Sequence, residues 1–483
     1  MEPSPTSADE PGRRSGLPAV LGRMFSSLRY RNYRLFFIGH TISTTGRWIQ
    51  AVAMSWLVWE LTNSKVWLGI AAAAGPLPML FLSSLGGVVA ERFERRRVLM
   101  VTQVLAALGP LALAVLLLVD GDCEIVRVWH LIAVAVLHGV VWAFDMPARQ
   151  AFAVQMVGRR DLANAIGLNS SIFNVSRAGG AALGGMLLVL FASEVVDQNV
   201  DPAVGGIPGV CLAAGACPPF SVCTLSAASA AMGVLHTVTR DLSAVWKGAA
   251  VCFAANGLSF FALLVALMMM RFTGDGDNGP RRPPAPRHPL GGFIYVWTHR
   301  PIRSTMLLLV SATLFGWAFR PLLPAFTAES FGRGGASYGG MLSVFGVGSL
   351  AGALLMAYLG RYPNRQRLIL IGIFLFAASI AAFTLVTSYT LALVALLVAG
   401  MGMLMCMAGI NSYVQLSVNE RFRGRVMGVY GTMFGGMIPF GALLAGWLAH
   451  WIGAPRAVQI CLVALVTVAA GVALYWHRLP RRR

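Results

Sequence analysis

The sequence predicts an all-α membrane protein: twelve transmembrane helices arranged as two pseudo-symmetric six-helix bundles. Three observations lead there. The 483 residues are 57% hydrophobic and only 12% charged, with a mean hydropathy of +0.69, whereas a soluble domain carries about 25% charged residues. Long apolar runs alternate with turns, and the basic residues crowd into every second turn. One of those turns is also echoed. Gly87 to Arg97 reads Gly-Val-Val-Ala-Glu-Arg-Phe-Glu-Arg-Arg-Arg, and Gly360-Arg361-Tyr362-Pro363-Asn364-Arg365-Gln366-Arg367 occupies the same kind of junction later in the chain. Arg92-Phe93 answers to Arg361-Tyr362, and Arg96 to Arg365.

In chain order, residues 1-34 are polar, contain no apolar core and read as a cytoplasmic tail rather than a secretory signal. A helix crossing a ~30 Å hydrocarbon core needs about 20 mostly apolar residues. By that measure the spans fall near 35–61, 67–90, 98–119, 128–146, 164–192, 247–271, 304–327, 337–360, 368–387, 390–416, 426–450 and 456–476. The first six form an N-terminal bundle over 35-271, and the last six a C-terminal bundle over 304-476. Residues 272-303, rich in Gly, Pro and Arg, read as a flexible cytoplasmic linker, and 477-483 as a short cytoplasmic tail. Residues 193-246 are too polar to span as a whole and read as an extracytoplasmic insertion. Cys211, Cys217 and Cys223 lie in it, with Cys123 in a neighbouring outer loop. Three pairings of these four are open, and so is the absence of any bridge. Cys252, Cys406 and Cys461 fall within spans and read as packing residues.

A net charge of +19 raises the question of nucleic acid. The distribution of the charge answers it. The N-terminal tail, the turns after spans two, four, six, eight and ten, and the C-terminal tail hold most of the Lys and Arg, while the opposite loops hold Lys65, Arg127, Arg240, Lys247, Arg333 and Arg456. This is the positive-inside pattern, so the partner is a lipid bilayer and no nucleic acid, and both termini face the cytoplasm. A second echo sets Val154-Gln155-Met156 and Arg159-Arg160, before span five, against Val414-Gln415-Leu416 and Glu420-Arg421, before span eleven. Two echoes in matching order indicate parallel six-helix repeats, which in secondary transporters hold the site at their interface near the midplane.

Three arginines fall inside spans, where charge is costly. Arg47 lies about 18 Å along its helix from Leu35, at ~1.5 Å per residue, and so near the midplane. Arg177 in span five is at similar depth, and Arg320 in span seven lies nearer the outer face, beside Pro321 and Pro324. Side chains so placed do not easily snorkel to water, so each faces a wet cavity or a partner. The functional reading is a positively lined pocket for a small anionic or catechol-type molecule. Gln50 would share the face of Arg47, Asn174 would stand at i−3 from Arg177, and Trp48, Trp56, Phe173 and Trp317 would be available to stack. The alternative is interhelical glue and ordinary aromatic packing. For proton coupling the candidates are His138 and Asp145, seven residues apart on one face of span four, with Glu60 and His40 behind them. The plainer readings are a buried histidine and an Asp145 that pairs with Arg149. No nucleophile or metal constellation is recognisable, so no enzyme and no cofactor is expected.

The run Gly87-x-x-x-Glu91-Arg92-x-x-Arg95-Arg96 resembles the signature between helices two and three of the major facilitator superfamily, with Glu91 where aspartate is usual. Asn32-Tyr33-Arg34-Leu35-Phe36, Asp145-Met146-Pro147-Ala148-Arg149-Gln150 and Arg423-Gly424-Arg425-Val426-Met427 are similar to the bacterial branch of enterobactin exporters and secretion-type permeases. The resemblance covers about Phe25 to Trp476, except the insertion. It implies the major facilitator fold, with spans one, four, seven and ten lining the cavity. It also implies a cytoplasmic gate of Gly87, Glu91, Arg92, Arg95 and Arg96, in which the acid Glu91 faces the positive end of the span-eleven dipole and nearby basic groups. The expected protein is a monomeric inner-membrane exporter of a siderophore-like or drug-like small molecule, coupled to protons by antiport. The chain departs from proton-coupled drug exporters in lacking an acid deep in span one and an arginine in span four. An importer, a membrane-embedded enzyme and a channel are the rival readings.

Overall fold

The computed structural model describes residues 26–120, 125–193, 220–271, 291–359 and 364–478. Spans 2 to 12 run Lys65–Arg92, Arg95–Val119, Val128–Val157, Ile172–Leu190, Val245–Met269, Arg300–Ser330, Gly335–Met356, Arg365–Leu385, Tyr389–Ser417, Phe422–Ile452 and Ala454–Arg478, each long and apolar enough to cross a bilayer. Span 1, Arg31–Thr62, is long enough but less apolar. His40, Thr41, Ser43, Thr44, Thr45, Arg47 and Gln50 all lie on it. Its neighbours Val128–Ser193 and Phe220–Met269 pack along it, so this polar face need not meet lipid.

Spans 4 and 5 belong to one unbroken helical stretch, Val128–Ser193, yet they run in opposite directions. Along span 4 Arg47 meets Trp142, Arg149 meets His40, and Phe152 meets Phe36. Along span 5 the order against span 1 is reversed, with Tyr33 bonded to the Ala165 carbonyl (2.9 Å) and Thr45 to Ser176 (3.1 Å). The junction expected as a loop is built of helical turns. Span 6 likewise continues a longer helix, Phe220–Met269. The second half of the segment expected as an insertion is therefore helix, extending the span by about 37 Å at ~1.5 Å per residue. The linker also ends in helix, Gly291–Thr298, which Tyr295 fastens to span 11 by stacking on Phe422 at 4.8 Å. The four outer cysteines and the Arg361-Tyr362 echo lie outside the described residues or side chains.

Two spans are broken, for identifiable reasons. Span 2 bends at Gly75, where Pro76 opens the second segment without an N–H to return. Span 4 fits this corner through Gly139, where a Cβ would stand 1.9 Å from the Gly75 carbonyl. Span 7 passes through π turns at Ala312–Gly316 and Phe326–Ser330 and a 3-10 stretch at Trp317–Leu322. Pro321 and Pro324 deny it two backbone donors, and such irregular turns frequently mark functional places.

The two bundles meet along two seams, span 5 on span 8 and span 2 on span 11. Small residues let the backbones close up there, as lipid-embedded helices require. A Cβ on Gly339 would lie 2.5 Å from the Gly185 Cα, one on Gly446 3.0 Å from Gly69, and Ser343 donates to the Ala178 carbonyl at 2.7 Å. All these contacts lie away from the basic turns. Toward those turns the seam between spans 2 and 11 parts. No neighbour stands within 4 Å of a Cβ built on Gly87, Gly424, Gly428, Gly431 or Gly435, and Leu85 and Val88 are exposed. That seam is shut at one end and open at the end that carries the arginines.

Candidate functional site

The polar face of span 1 feeds two clusters. One lies wholly within the N-terminal bundle. Asp145 of span 4 is 1% exposed and accepts from Gln103 Nε2 at 2.8 Å and from the Thr102 hydroxyl at 3.0 Å, which Thr102 shares with the Leu99 carbonyl. Arg149, one helical turn on, pairs with the same carboxylate through Nε at 2.9 Å and through one amino group. Its other amino group reaches the ring of His40. That ring is buried, stacked on Phe36 with centroids 5.4 Å apart. Arg47 stands above the cluster, donating to Thr44 at 3.0 Å and lying over Trp142 at 4.9 Å, within electrostatic reach of Asp145 and Arg149. A buried ion pair holds only when its remaining lone pairs and protons are satisfied, and Thr102, Gln103 and His40 supply those bonds.

The second cluster crosses between the bundles. Arg177 donates to Asn174 at 3.0 Å and lies 6.0 Å from the centre of Phe173 and 5.6 Å from that of Phe345 on span 8. Arg320, in the 3-10 stretch of span 7, lies over Trp48 of span 1 at 4.8 Å and over Trp317 at 5.6 Å. Trp48 meets Phe173 edge-on at 5.6 Å. Cations and rings thus form one chain from Arg320 through Trp48 and Phe173 to Arg177 and Phe345. Ring faces attract cations but carry no neutralising charge. Among the described residues none of Arg47, Arg177 and Arg320 forms an ion pair, and Nε of Arg47 and of Arg177 is buried without a partner.

Other candidates lie elsewhere. Gln50 accepts from Asn256 of span 6 and joins those two spans rather than extending the arginine face. His138 sits between Trp142 and Phe260 with Nδ1 unbonded, and no bond links it to Asp145. Glu60 is exposed near the end of span 1 and takes a hydrogen bond from Trp56. In the basic turn, Arg96 donates to the carbonyls of Leu267 (2.9 Å) and Met268 (3.1 Å), capping span 6 where the helix dipole is negative. Glu91 and Arg92 are exposed, Arg95 is half-buried, and Gly87 faces open space. Asn32 exchanges bonds with the Arg271 backbone at 2.9 and 3.3 Å. Its motif thus ties span 6 to span 1. At the shut end, Lys65 pairs with Glu329 at 2.7 Å across the bundles, and Trp56 stacks on Tyr338.

Sequence reasoning set Asp145 on one face of span 4 with His138 and, as the plainer reading, paired it with Arg149. The structure places it with Arg149, His40, Thr102 and Gln103. The i+4 spacing to Arg149 was a usable signal, whereas nothing local links Asp145 to residues on spans 1 and 3. Phe345 and Trp142, the rings beneath Arg177 and Arg47, carried no signal at all.

The family profile described as transmembrane secretion effector (MFS_3) matches residues 23–201 and 241–483. The gap falls within the segment read as an insertion. The multidrug efflux pump Tap of Mycolicibacterium fortuitum is 26% identical over 446 residues, covering 90% of this chain and 93% of the pump. The staphyloferrin A transporter of Staphylococcus aureus is 21% identical over 438 residues, covering 90% and 94%. In fold the chain is similar to a bacterial homologue of the human lysosomal transporter Spinster in an inward-facing and occupied conformation, with a TM-score of 0.66 at 14% identity over 93% of this chain and 97% of that one. The nucleoside transporter NupG follows with a TM-score of 0.61 at 12% identity over 94% and 100%. Twelve spans in two bundles and a profile match over most of the length agree: the chain belongs to the transmembrane secretion effector family of the major facilitator superfamily, multi-pass membrane transporters of small molecules and not enzymes.

Proposed function

We propose that the protein exports a small organic anion across the bacterial inner membrane by alternating access, as a monomer driven by inward flow of protons. The observation that carries this reading is that three span arginines form no ion pair among the described residues, two of them being joined by aromatic rings across the bundles. An unpaired cation away from water is expensive. A ligand with anionic groups and a flat or aromatic body relieves that cost and stacks on Trp48, Phe173 or Phe345. The relatives named for multidrug efflux and for staphyloferrin A support a small organic substrate, and the efflux pump supports the export direction.

By the positive-inside rule the basic end faces the cytoplasm, so both termini are cytoplasmic and this conformation is open inward. The ligand enters from that side. Binding between Arg177 of one bundle and Arg320 of the other draws the cytoplasmic halves together, and Gly87 then meets the glycine face of span 11. Asp145 is the acid placed to take part in coupling, because it sits within a charged network that joins two spans.

Comparison of the metabolites released by cells with and without the protein gives the substrate. That compound is then offered to inverted membrane vesicles. Accumulation that requires a proton gradient is the expected result. Gradient-driven movement in the opposite sense makes the protein an importer, and dissipative flux makes it a channel.

A further inference from the structure

We infer that His40 is the proton-carrying group of the transporter, and that its protonation expels the Arg149 guanidinium and releases span 4 from span 1. The inference rests on the antiport reading above and goes beyond it by naming the group and the contact it controls. The chemistry of the two partners carries it. A guanidinium has only donors, so the ring nitrogen that faces Arg149 must present a lone pair. His40 is therefore neutral as seen. A proton added to that lone pair turns an acceptor into a second donor aimed at a cation.

The surroundings supply nothing to absorb the new charge. Arg149 stands in front of the ring, and Arg47 on the same helix is also within electrostatic reach. Thr44 and Asn169 are its neutral hydrogen-bonding neighbours, and Phe36 covers one face. The one acid of the cluster, Asp145, lies behind Arg149 and is engaged by Thr102, Gln103 and Arg149. Arg149 keeps Asp145 through Nε and one amino group whichever way His40 titrates. Only the His40 contact is exchangeable, and it joins span 1 to span 4. Imidazole is the side chain whose unperturbed titration falls between pH 5 and 8. His138 has no such contact to exchange, since its neighbours are Trp142 and Phe260.

The sense of coupling follows. The inward-open form holds His40 unprotonated, as an antiporter must after it has released its proton to the cytoplasm and before it loads substrate. A proton is taken up in the outward-open form, where the two spans stand apart. As the inward-open form re-forms, Arg149 returns to the ring and the proton is displaced to the cytoplasm, which restores the lone pair. The step is a proton moving between water and one ring nitrogen, with a hydrogen bond broken and no other chemistry.

The test needs no known substrate. Spin labels at Phe93 and Tyr358, exposed at the basic end on different bundles, report the opening of the full-length protein in lipid nanodiscs. In the parent protein, acidification from about pH 8 to about pH 5, the range imidazole spans, should shorten the distance between the labels. His40→Gln keeps an acceptor for Arg149 but takes no proton in this range, and should lose that shift and stay open. Arg149→Gln removes the cation to be expelled and should lose the shift as well. His477→Gln, exposed at the end of span 12, should retain it. A full pH response in His40→Gln overturns the assignment and leaves antiport standing. A parent protein that does not respond to pH overturns both.

Discussion

The two bundles share a topology but are filled differently. In the N-terminal bundle His40, Gln50, Gln103, Asp145, Asn174, Arg177 and Asn256 are all buried, and most bond to a different span or to a charged partner. Among the described residues of the C-terminal bundle, the buried serines and threonines each give a hydroxyl bond to a carbonyl of their own helix. Thr305 bonds the Pro301 carbonyl, Thr313 that of Leu309, Thr327 that of Leu323, Ser349 that of Phe345 and Ser379 that of Leu375. Such bonds satisfy the hydroxyl locally and leave nothing to exchange. Phe319, Phe326, Phe376 and Phe383 fill the space between. One bundle therefore holds groups that can trade partners, and the other is a largely apolar wall that brings the cation Arg320 to the site from an irregular stretch of span 7. Under the proposed function, coupling would lie in the first bundle and the second would complete the binding site.

That contrast is broken most severely at Asp145. Asp145→Asn leaves Arg149 buried and unpaired, which costs about 3–5 kcal/mol. Thermal unfolding in detergent should show a large drop in stability, with transport lost. Adding Arg149→Gln should recover much of the stability and none of the transport. A double variant as unstable as the single one would show that the two residues do not act as a unit.

The span arginines that form no ion pair should behave in the opposite way. No ion pair is lost in Arg47→Ala, Arg177→Ala or Arg320→Ala, so membrane-inserted protein should persist. A charged group bonded to a ligand is worth roughly 1.5–3 kcal/mol, so affinity for the anion identified by metabolite comparison should fall about tenfold or more. Normal transport by both Arg47→Ala and Arg177→Ala would make these side chains structural.

Next in size come the seams. Gly428→Leu adds bulk where span 11 has open space, and should hold the basic end open with little cost to folding. Gly339→Leu adds it against Gly185 and should spread the shut end. Thiol labelling of a cysteine at Phe93 should move in opposite directions in the two variants. Equal labelling in both would argue against two alternating seams.

Much of the fold was legible because membrane burial writes itself into runs of apolar residues and into the side on which arginines fall. Span edges came within about four residues of the helices, even for span 1, whose polar face weakens the signal, except at the junction of spans 4 and 5, where span 4 runs on to Val157 and span 5 begins only at Ile172. The pairing of Asp145 with Arg149 was legible through helical spacing. The cross-bundle chain from Arg320 to Phe345 was not, because Trp48, Phe173 and Phe345 look like any other aromatic in a span. Gln50 misled for a related reason: sequence spacing places a residue near a face but does not say which neighbouring helix offers a partner, and Asn256 lies 206 positions away. The helical reversal between spans 4 and 5 was hidden because polar, arginine-bearing residues read as loop.

The smallest effect is expected at the shut end, where the bundles are joined by charge rather than by buried chemistry. Lys65 and Glu329 pair at 2.7 Å with side chains 20% and 43% exposed. A pair this open to water is worth about 0–1 kcal/mol. Lys65→Glu should therefore leave folding intact and tilt the population modestly toward the form open on that side, by no more than a few-fold. Reversing the pair with Glu329→Lys should restore the parent distribution. Because the surface pair is screened by salt, the single variant's effect should also fade as ionic strength rises, whereas the Asp145 defect should not. If Lys65→Glu alone shifted the distribution as strongly as Gly339→Leu, charge at the rim, not the packing of small residues beneath it, would be what holds that end shut.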